Sequence, residues 1–257
     1  MSDTWDPAQY ERFRQERSAP FFDLLDLVES CPGGRVVDLG CGAGELTRSL
    51  HERTEAASTL GVDSSKAMLA RSAQYAGGGL TFELGDIAEW TPSEPVDVVF
   101  SNAALHWIED HDALFARLTA ALTPRGQLAV QVPANHDHPS HLVAERVAAE
   151  EPFRTALGGY VRRSPVLAPE HYALLLHRLG YASQHVRLQV YLHVLPAAGA
   201  VVEWVKGTLL TDYRRRLSDD QYEEFLARYG ELLAAELPDE RPFAFPFKRL
   251  LLWGKRG

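Results

Sequence analysis

The sequence predicts an α/β fold, an open sheet of mostly parallel strands with helices between them. Three observations point there. From Arg35 to about Val132, short apolar runs alternate with segments of helical period, which is the pattern of βαβ units. The first apolar run ends in a glycine-rich turn that opens a helix, the place where open α/β sheets take nucleotide-like ligands. The chain has 257 residues, 46% hydrophobic and 24% charged, which suits a folded domain with a large core and argues against disorder or fibrous repeats.

Taken in order, Asp6 followed by Pro7 reads as a helix cap with proline at the first helical position, opening a helix expected to stop near Pro20. Ser18 then caps a second helix carrying Phe21, Phe22, Leu24, Leu25, Leu27 and Val28, which ends in the breaker Cys31-Pro32-Gly33-Gly34. Five strands follow, at 35–39, 59–63, 80–84, 96–100 and 127–132, with helices near 44–53, 65–75 and 110–121. Beyond Pro133 the rhythm changes. A polar loop with His136, His138 and His141 leads to a helix from His141 to about Glu151, then a Gly158-Gly159 break. A helix near 169–179 ends at Gly180, a β-rich run covers 185–195, residues 197–237 read as further helices, and 243–253 as a closing strand. No repeat or low-complexity tract interrupts the chain.

Lys and Arg number 26 against 35 Asp and Glu, a net charge of −9, opposite to what a phosphate backbone attracts, so no nucleic-acid partner is expected. The first residues lack a basic region followed by an apolar stretch, and no run approaches about 18 uninterrupted apolar residues, so a soluble cytoplasmic protein without a membrane partner is expected. Cys31 and Cys41 offer neither a disulfide framework nor a zinc site. The three loop histidines lack a partner carboxylate at ligand spacing, so no metal is expected.

The strand Val36 to Leu39 enters Gly40-Cys41-Gly42-Ala43-Gly44, where glycine permits positive φ and close approach of a ligand. The dinucleotide fingerprint wants a glycine at position 45, but Glu45 stands there and the third glycine falls one residue early. Asp38 and Glu45 beside the loop oppose an anionic pyrophosphate, which disfavours a nicotinamide oxidoreductase. They suit a ligand bearing an ammonium and a sulfonium, as S-adenosyl-L-methionine does. Asp63, 23 positions after Gly40, ends the second strand, where an acidic side chain accepts from ribose hydroxyls. Asp86 closes the third strand, placed to accept from an adenine amine while Ile87 packs on the ring, although a loop-capping carboxylate is an equal reading for Asp86 alone.

The motifs at 38–44, Gly61 to Ser65 and Gly85 to Ile87 resemble those of class I S-adenosylmethionine-dependent methyltransferases. Trp5 to Pro20, Ser101 to Asp110, Leu128 to Asn135, His138 to His141 and Val202 to Thr208 narrow the resemblance to the trans-aconitate 2-methyltransferase family, over nearly the whole chain. That resemblance implies a Rossmann-like sheet with its last strand antiparallel. It also implies a single domain over 1–257, with a cofactor-binding core at 30–135 and mainly helical substrate-cap insertions at 136–182 and 197–240. The implied reaction is transfer of a methyl group from S-adenosyl-L-methionine to one carboxylate of a small polycarboxylic acid. The implied cofactor contacts are Asp38, Gly40, Cys41, Gly42, Gly44, Asp63, Ser64, Met68, Asp86, Ile87 and Asn102. Relative to the family pattern, Asp212 stands where a basic residue is usual, with Arg214 to Arg216 following it.

Methyl transfer to a carboxylate needs little acid-base machinery, because an acid with a pKa near about 4 is already ionised at neutral pH. Positioning is then the main task, and holding the other carboxylates calls for Arg, Lys, His or Tyr. Arg17 shares a predicted helix face with Tyr10 and Phe13, and reads either as a helix-ending arginine or as a ligand of cofactor or substrate, with Trp5 and Tyr10 as lid residues. Asn102 to Trp107 follows the fourth strand, beside the transferable methyl, so His106 and Trp107 are candidates for the acceptor pocket or for plain core packing. Arg162, Arg163 and Lys206 lie in the inserted segments and are the remaining candidates. A different small acceptor, or a non-catalytic S-adenosylmethionine sensor, also fits the sequence.

Overall fold

The computed structural model describes the backbone from Arg14 to Gly257 and the side chains from Ser18 onward. Its centre is one seven-stranded sheet of β1 (Arg35–Leu39), β2 (Ser58–Asp63), β3 (Leu80–Leu84), β4 (Val96–Asn102), β5 (Leu122–Pro133), β6 (Tyr181–Leu195) and β7 (Phe243–Arg256). The order is β3-β2-β1-β4-β5-β7-β6. β1 to β5 pair in parallel, and β7 runs antiparallel between β5 and β6. The strand order reverses between β1 and β4, which opens a crevice at the carboxyl ends of the parallel strands. The Rossmann-like sheet with its antiparallel last strand is therefore present.

Both faces of the sheet are covered. On one, α4 (His111–Ala120) and α7 (Pro169–Arg178) bring Leu114, Phe115, Leu118, Tyr172, Leu175 and Leu176 against Val37, Val99, Leu128 and Val130. On the other, α1 (Arg14–Leu25) and α2 (Glu45–Thr54) bury Phe21, Leu24, Leu25 and Leu50 against Val98, Phe100, Leu251 and Trp253. Burial on two sides explains why β1 and β4 read as continuous apolar runs instead of alternating. Local caps fix the helix starts: Ser65 accepts from the Met68 N–H at 3.3 Å ahead of α3 (Lys66–Ser72), and Asp110 accepts from the Ala113 N–H at 3.0 Å ahead of α4.

A third apolar cluster lies over the far ends of β6 and β7. There α5 (Pro139–Ala149), α6 (Phe153–Ala156), α8 (Ala200–Lys206), α9 (Thr211–Arg216) and α10 (Asp219–Glu236) enclose Leu195, Phe243, Phe245 and Phe247. Ser218 starts α10 with a reciprocal capping box to Gln221. Among the described residues no helix is long and apolar enough to cross a membrane.

The structure corrects several local readings. No break occurs at Pro20, and Ser18 lies inside a helix and not at its start, because α1 runs through both. A proline inside a helix costs about 3 kcal/mol, and burial of Phe21, Leu24 and Leu25 against the sheet offsets it. The helix read at 65–75 is α3 followed by a 3-10 turn, Ala73–Tyr75. β5 begins at Leu122, which pairs with Val96 across a bulge, and β6 begins at Tyr181. α5 starts at Pro139 because the His138 ring nitrogen accepts the Ser140 N–H at 3.1 Å. The helix expected from Asp6 lies, apart from Arg14 onward, outside the described residues.

Candidate active site

The crevice at the strand ends deepens into a cavity of about 880 Å³ between the sheet and the third apolar cluster. Its lining comes from the turns that follow β1 to β5, from α9, and from the segment around Tyr160 to Pro165. The two ends differ in charge.

The end beside β1 to β4 is acidic. The Gly42 N–H donates to Asp63 Oδ2 at 2.9 Å and the Ser65 N–H to Asp63 Oδ1 at 2.8 Å, which fixes the carboxylate against the glycine turn. Asp63 also lines the cavity there. Asp86 Oδ1 takes the Ala88 N–H at 2.8 Å, the Asx turn expected at a strand end. Ile87 beside it is held by its carbonyl, which accepts from Arg117 Nη2 at 3.0 Å. Ala103 sits at φ 55°, a strained conformation for a residue with a Cβ. Next to it, Asn102 Oδ1 is buried and has no hydrogen-bond partner among the described residues. Such an atom is costly unless a ligand satisfies it.

The opposite end is cationic. Arg162 is 12% exposed, lies over the Trp107 ring at 4.1 Å, and forms an ion pair with Asp212, itself 14% exposed. Asp212 also accepts from the Tyr160 hydroxyl at 3.3 Å and lies 3.8 Å from Arg215 and 3.9 Å from Arg216. Arg216 stacks on Tyr160 at 3.8 Å. From β7, Arg249 enters the same space at 5% exposure, over Phe247 at 5.0 Å and 3.4 Å from Gln131 Oε1.

Two histidines also line the cavity. The His106 ring lies tilted against Trp107 at 4.9 Å, and its Nδ1 is buried with no hydrogen-bond partner among the described residues. Burial first, and then the nearby Arg162 and Arg249, push its pKa well below the usual histidine range. Burial, with His138 and Arg162, lowers His141 to about 3. Both rings are neutral at neutral pH.

Comparison with known proteins fits this geometry. Residues 36–126 match a methyltransferase domain family. A trans-aconitate 2-methyltransferase from Deinococcus radiodurans is 46% identical, over 98% of each chain. The chain belongs to the trans-aconitate 2-methyltransferase family. A relative of the same description from Streptomyces avermitilis is 39% identical, over 96% of this chain and 95% of its own. Among solved structures, the YcgJ protein of Bacillus subtilis shares the fold at a TM-score of 0.61 and 14% identity, covering 93% of this chain and 98% of its own. As a family member, the protein is an S-adenosylmethionine-dependent methyltransferase acting on a small molecule.

Within this methyltransferase, the predicted residues Gly40, Gly42, Asp63, Ser64, Met68, Asp86, Ile87 and Asn102 all line the acidic end, and His106, Trp107, Arg162 and Arg163 also line the cavity. Asp38, Cys41 and Gly44 do not. Asp38 is buried beneath the turn, where Thr47 Oγ1 donates to it at 2.6 Å, and desolvation raises its pKa to about 7. Burial also raises the Cys41 thiol, which is inert packing under the loop. A side chain at Gly44 would meet Phe82 and Ser72, so this glycine serves helix–strand packing. Lys206 lies off the cavity, bound to Glu203 at 2.7 Å one turn back on α8. Trp5 and Tyr10 fall outside the described residues, as does the side chain of Arg17.

Sequence reasoning missed Arg249, Tyr160 and the cavity position of His141. Arg249 carried a usable signal, because it continues the inward alternation of Phe245 and Phe247 along β7.

Proposed function

We propose that this methyltransferase esterifies one carboxylate of trans-aconitate, using S-adenosyl-L-methionine as donor. The observation that carries the reading is the division of one cavity into an acidic end at the strand termini and an arginine-rich end beneath α9. The donor supplies a methyl group on a positively charged sulfur. Asp63 would accept the ribose hydroxyls, Asp86 the adenine amine, with Ile87 against the ring and Asn102 Oδ1 facing the donor's polar groups. Arg162, Arg215, Arg216 and Arg249 would hold the acceptor's non-reacting carboxylates.

No base is required of the chain. A carboxylate oxygen provides the electron pair, one C–O bond forms as one C–S bond breaks, and no proton moves. What remains for the protein is to place that oxygen in line with the methyl group at roughly 3 to 3.5 Å and to keep water away. The neutral rings of His106 and His141 suit this, since they orient a carboxylate without the full charge that would lower its nucleophilicity. Segments 136–182 and 197–240 would act as the substrate cap, a reading supported by Tyr160, Arg162 and Asp212 on the cavity wall. Helix α7 belongs instead with the sheet, through Tyr172, Leu175 and Leu176.

The test is incubation of purified protein with methyl-labelled donor and trans-aconitate, cis-aconitate, citrate or no acceptor. Base-labile label dependent on trans-aconitate is expected. Tight donor binding with no base-labile product from any acid would overturn the substrate assignment.

A further inference from the structure

At the cationic end, one carboxylate is shared by three guanidinium groups. Asp212 pairs with Arg162 and lies within 4 Å of both Arg215 and Arg216. The Tyr160 hydroxyl donates to the same carboxylate, and Arg216 Nη1 donates to the Asp212 backbone carbonyl at 3.2 Å. Asp212 thus offsets one positive charge where three guanidiniums converge. The geometry is fixed from several sides: Arg162 is clamped over Trp107, its own backbone N–H donates to the Tyr213 hydroxyl at 3.1 Å, and Arg216 is stacked on Tyr160. Arg162 and Arg216 are therefore held close to the carboxylate.

From this we infer that Asp212 is a specificity-determining residue, which tempers the preference for highly charged acceptors by neutralising one of the three guanidiniums facing it. The inference rests on the polycarboxylate reading above. A more strongly charged corner would favour acceptors bearing more charge at that end and would hold them more tightly. Asp212 also keeps Arg162 from standing desolvated before the acceptor arrives, a state in which a buried guanidinium is costly. Removing its charge transfers that cost to the free enzyme, and an incoming carboxylate recovers it.

Calorimetric titration of the enzyme saturated with S-adenosylhomocysteine tests this, with trans-aconitate as trianion and fumarate as dianion. Asp212→Asn is expected to tighten trans-aconitate by about two- to fivefold, the scale of one partly exposed charge pair, and fumarate by less, so the ratio of the two affinities rises. Asp212→Glu should return the ratio to the wild-type value. A thermal melt of Asp212→Asn should show a lower melting temperature without acid and a larger rise on adding trans-aconitate. Arg215→Gln, at a half-exposed site, should move the ratio the opposite way even if Asp212→Asn folds poorly. An unchanged or falling ratio in Asp212→Asn, or no fall in Arg215→Gln, overturns the inference. If the wild-type enzyme binds neither acid, the polycarboxylate reading itself falls; if it binds trans-aconitate and the ratios do not move, only the role of Asp212 falls.

Discussion

A Cβ placed on Gly40 would stand 2.3 Å from the Cβ of Ala104, so the turn after β1 and the turn after β4 touch with no room for a single methyl group. Gly40 also sits at φ 86°, which adds a backbone penalty for any other residue. Gly40→Ala should therefore cost at least about 2 kcal/mol, combining the left-handed strain with displacement of a packed turn. In a chain of this size that lowers the melting temperature by roughly 5 °C or more, and donor affinity should fall with it. Gly42→Ala, where nothing lies within 4 Å, should cost less in stability at its φ of 54°. Equal melting temperatures for the two variants would contradict the packing account.

Asp63 joins the glycine turn to the end of β2 through the Gly42 and Ser65 amides. Asp63→Asn keeps the shape but cannot accept those donors with a full charge, and it loses the acceptor offered to the ribose. Hydrogen bonds to charged groups are worth about 1.5 to 3 kcal/mol each, so binding of S-adenosylhomocysteine should weaken by roughly 10- to 100-fold in calorimetry. A change under twofold would remove Asp63 from the donor site.

Arg162 should act on the acceptor and leave the donor alone. Arg162→Ala is expected to raise KM for the acid by more than about tenfold, since truncating one partner of a buried charged pair typically costs at least 2 kcal/mol. Donor affinity should stay within about twofold. A variant that lost donor binding instead would place the cationic end elsewhere in the reaction.

Burial raises the Asp38 carboxyl to about 7, with the Thr47 hydrogen bond opposing and Asp63 adding to the rise. Unfolded, the same group ionises near its ordinary value of 3.8. Between those values the folded chain holds the proton and the unfolded chain has lost it. Stability therefore falls as pH rises through that window, by on the order of 4 kcal/mol once pH passes 7. Asp38→Asn is free of this penalty, so its stability relative to wild type, measured by urea unfolding, should improve by roughly 2 to 3 kcal/mol from pH 5 to pH 8. A constant difference would contradict the burial account.

Neither His106 nor His141 titrates near neutrality, because burial and nearby guanidiniums favour the neutral rings. The acceptor is already ionised there as well. The expected profile of kcat is flat between about pH 6 and pH 9. A limb near 6.5 that disappears in His106→Gln would show that this ring exchanges a proton during turnover.

Much of the sheet and the donor end could be read from the chain because both are local. The pattern of β1, the glycines after it, Asp63 at the end of β2 and Asp86 after β3 are contiguous signals with fixed spacing. A carboxylate beside a turn looks available in sequence, whereas the fold turns Asp38 under the loop to Thr47. On α8, Trp204 and Val205 take the buried side, and Lys206 turns to Glu203. The cationic end was hardest to read, since Tyr160, Arg162, Asp212 and Arg249 come from segments up to about ninety positions apart and meet only after the third apolar cluster has packed. Pro20 shows the converse, a strong local breaker overruled by burial of its neighbours.

The most direct test of the two-ended cavity is a crystal structure of the enzyme with S-adenosylhomocysteine and trans-aconitate bound together. The account predicts the ribose on Asp63, the adenine beside Asp86 and Ile87, and two acceptor carboxylates on Arg162, Arg215, Arg216 or Arg249, with the third directed at the donor sulfur past His106. An acid bound outside this cavity, or lying in it with no arginine contact, would contradict it.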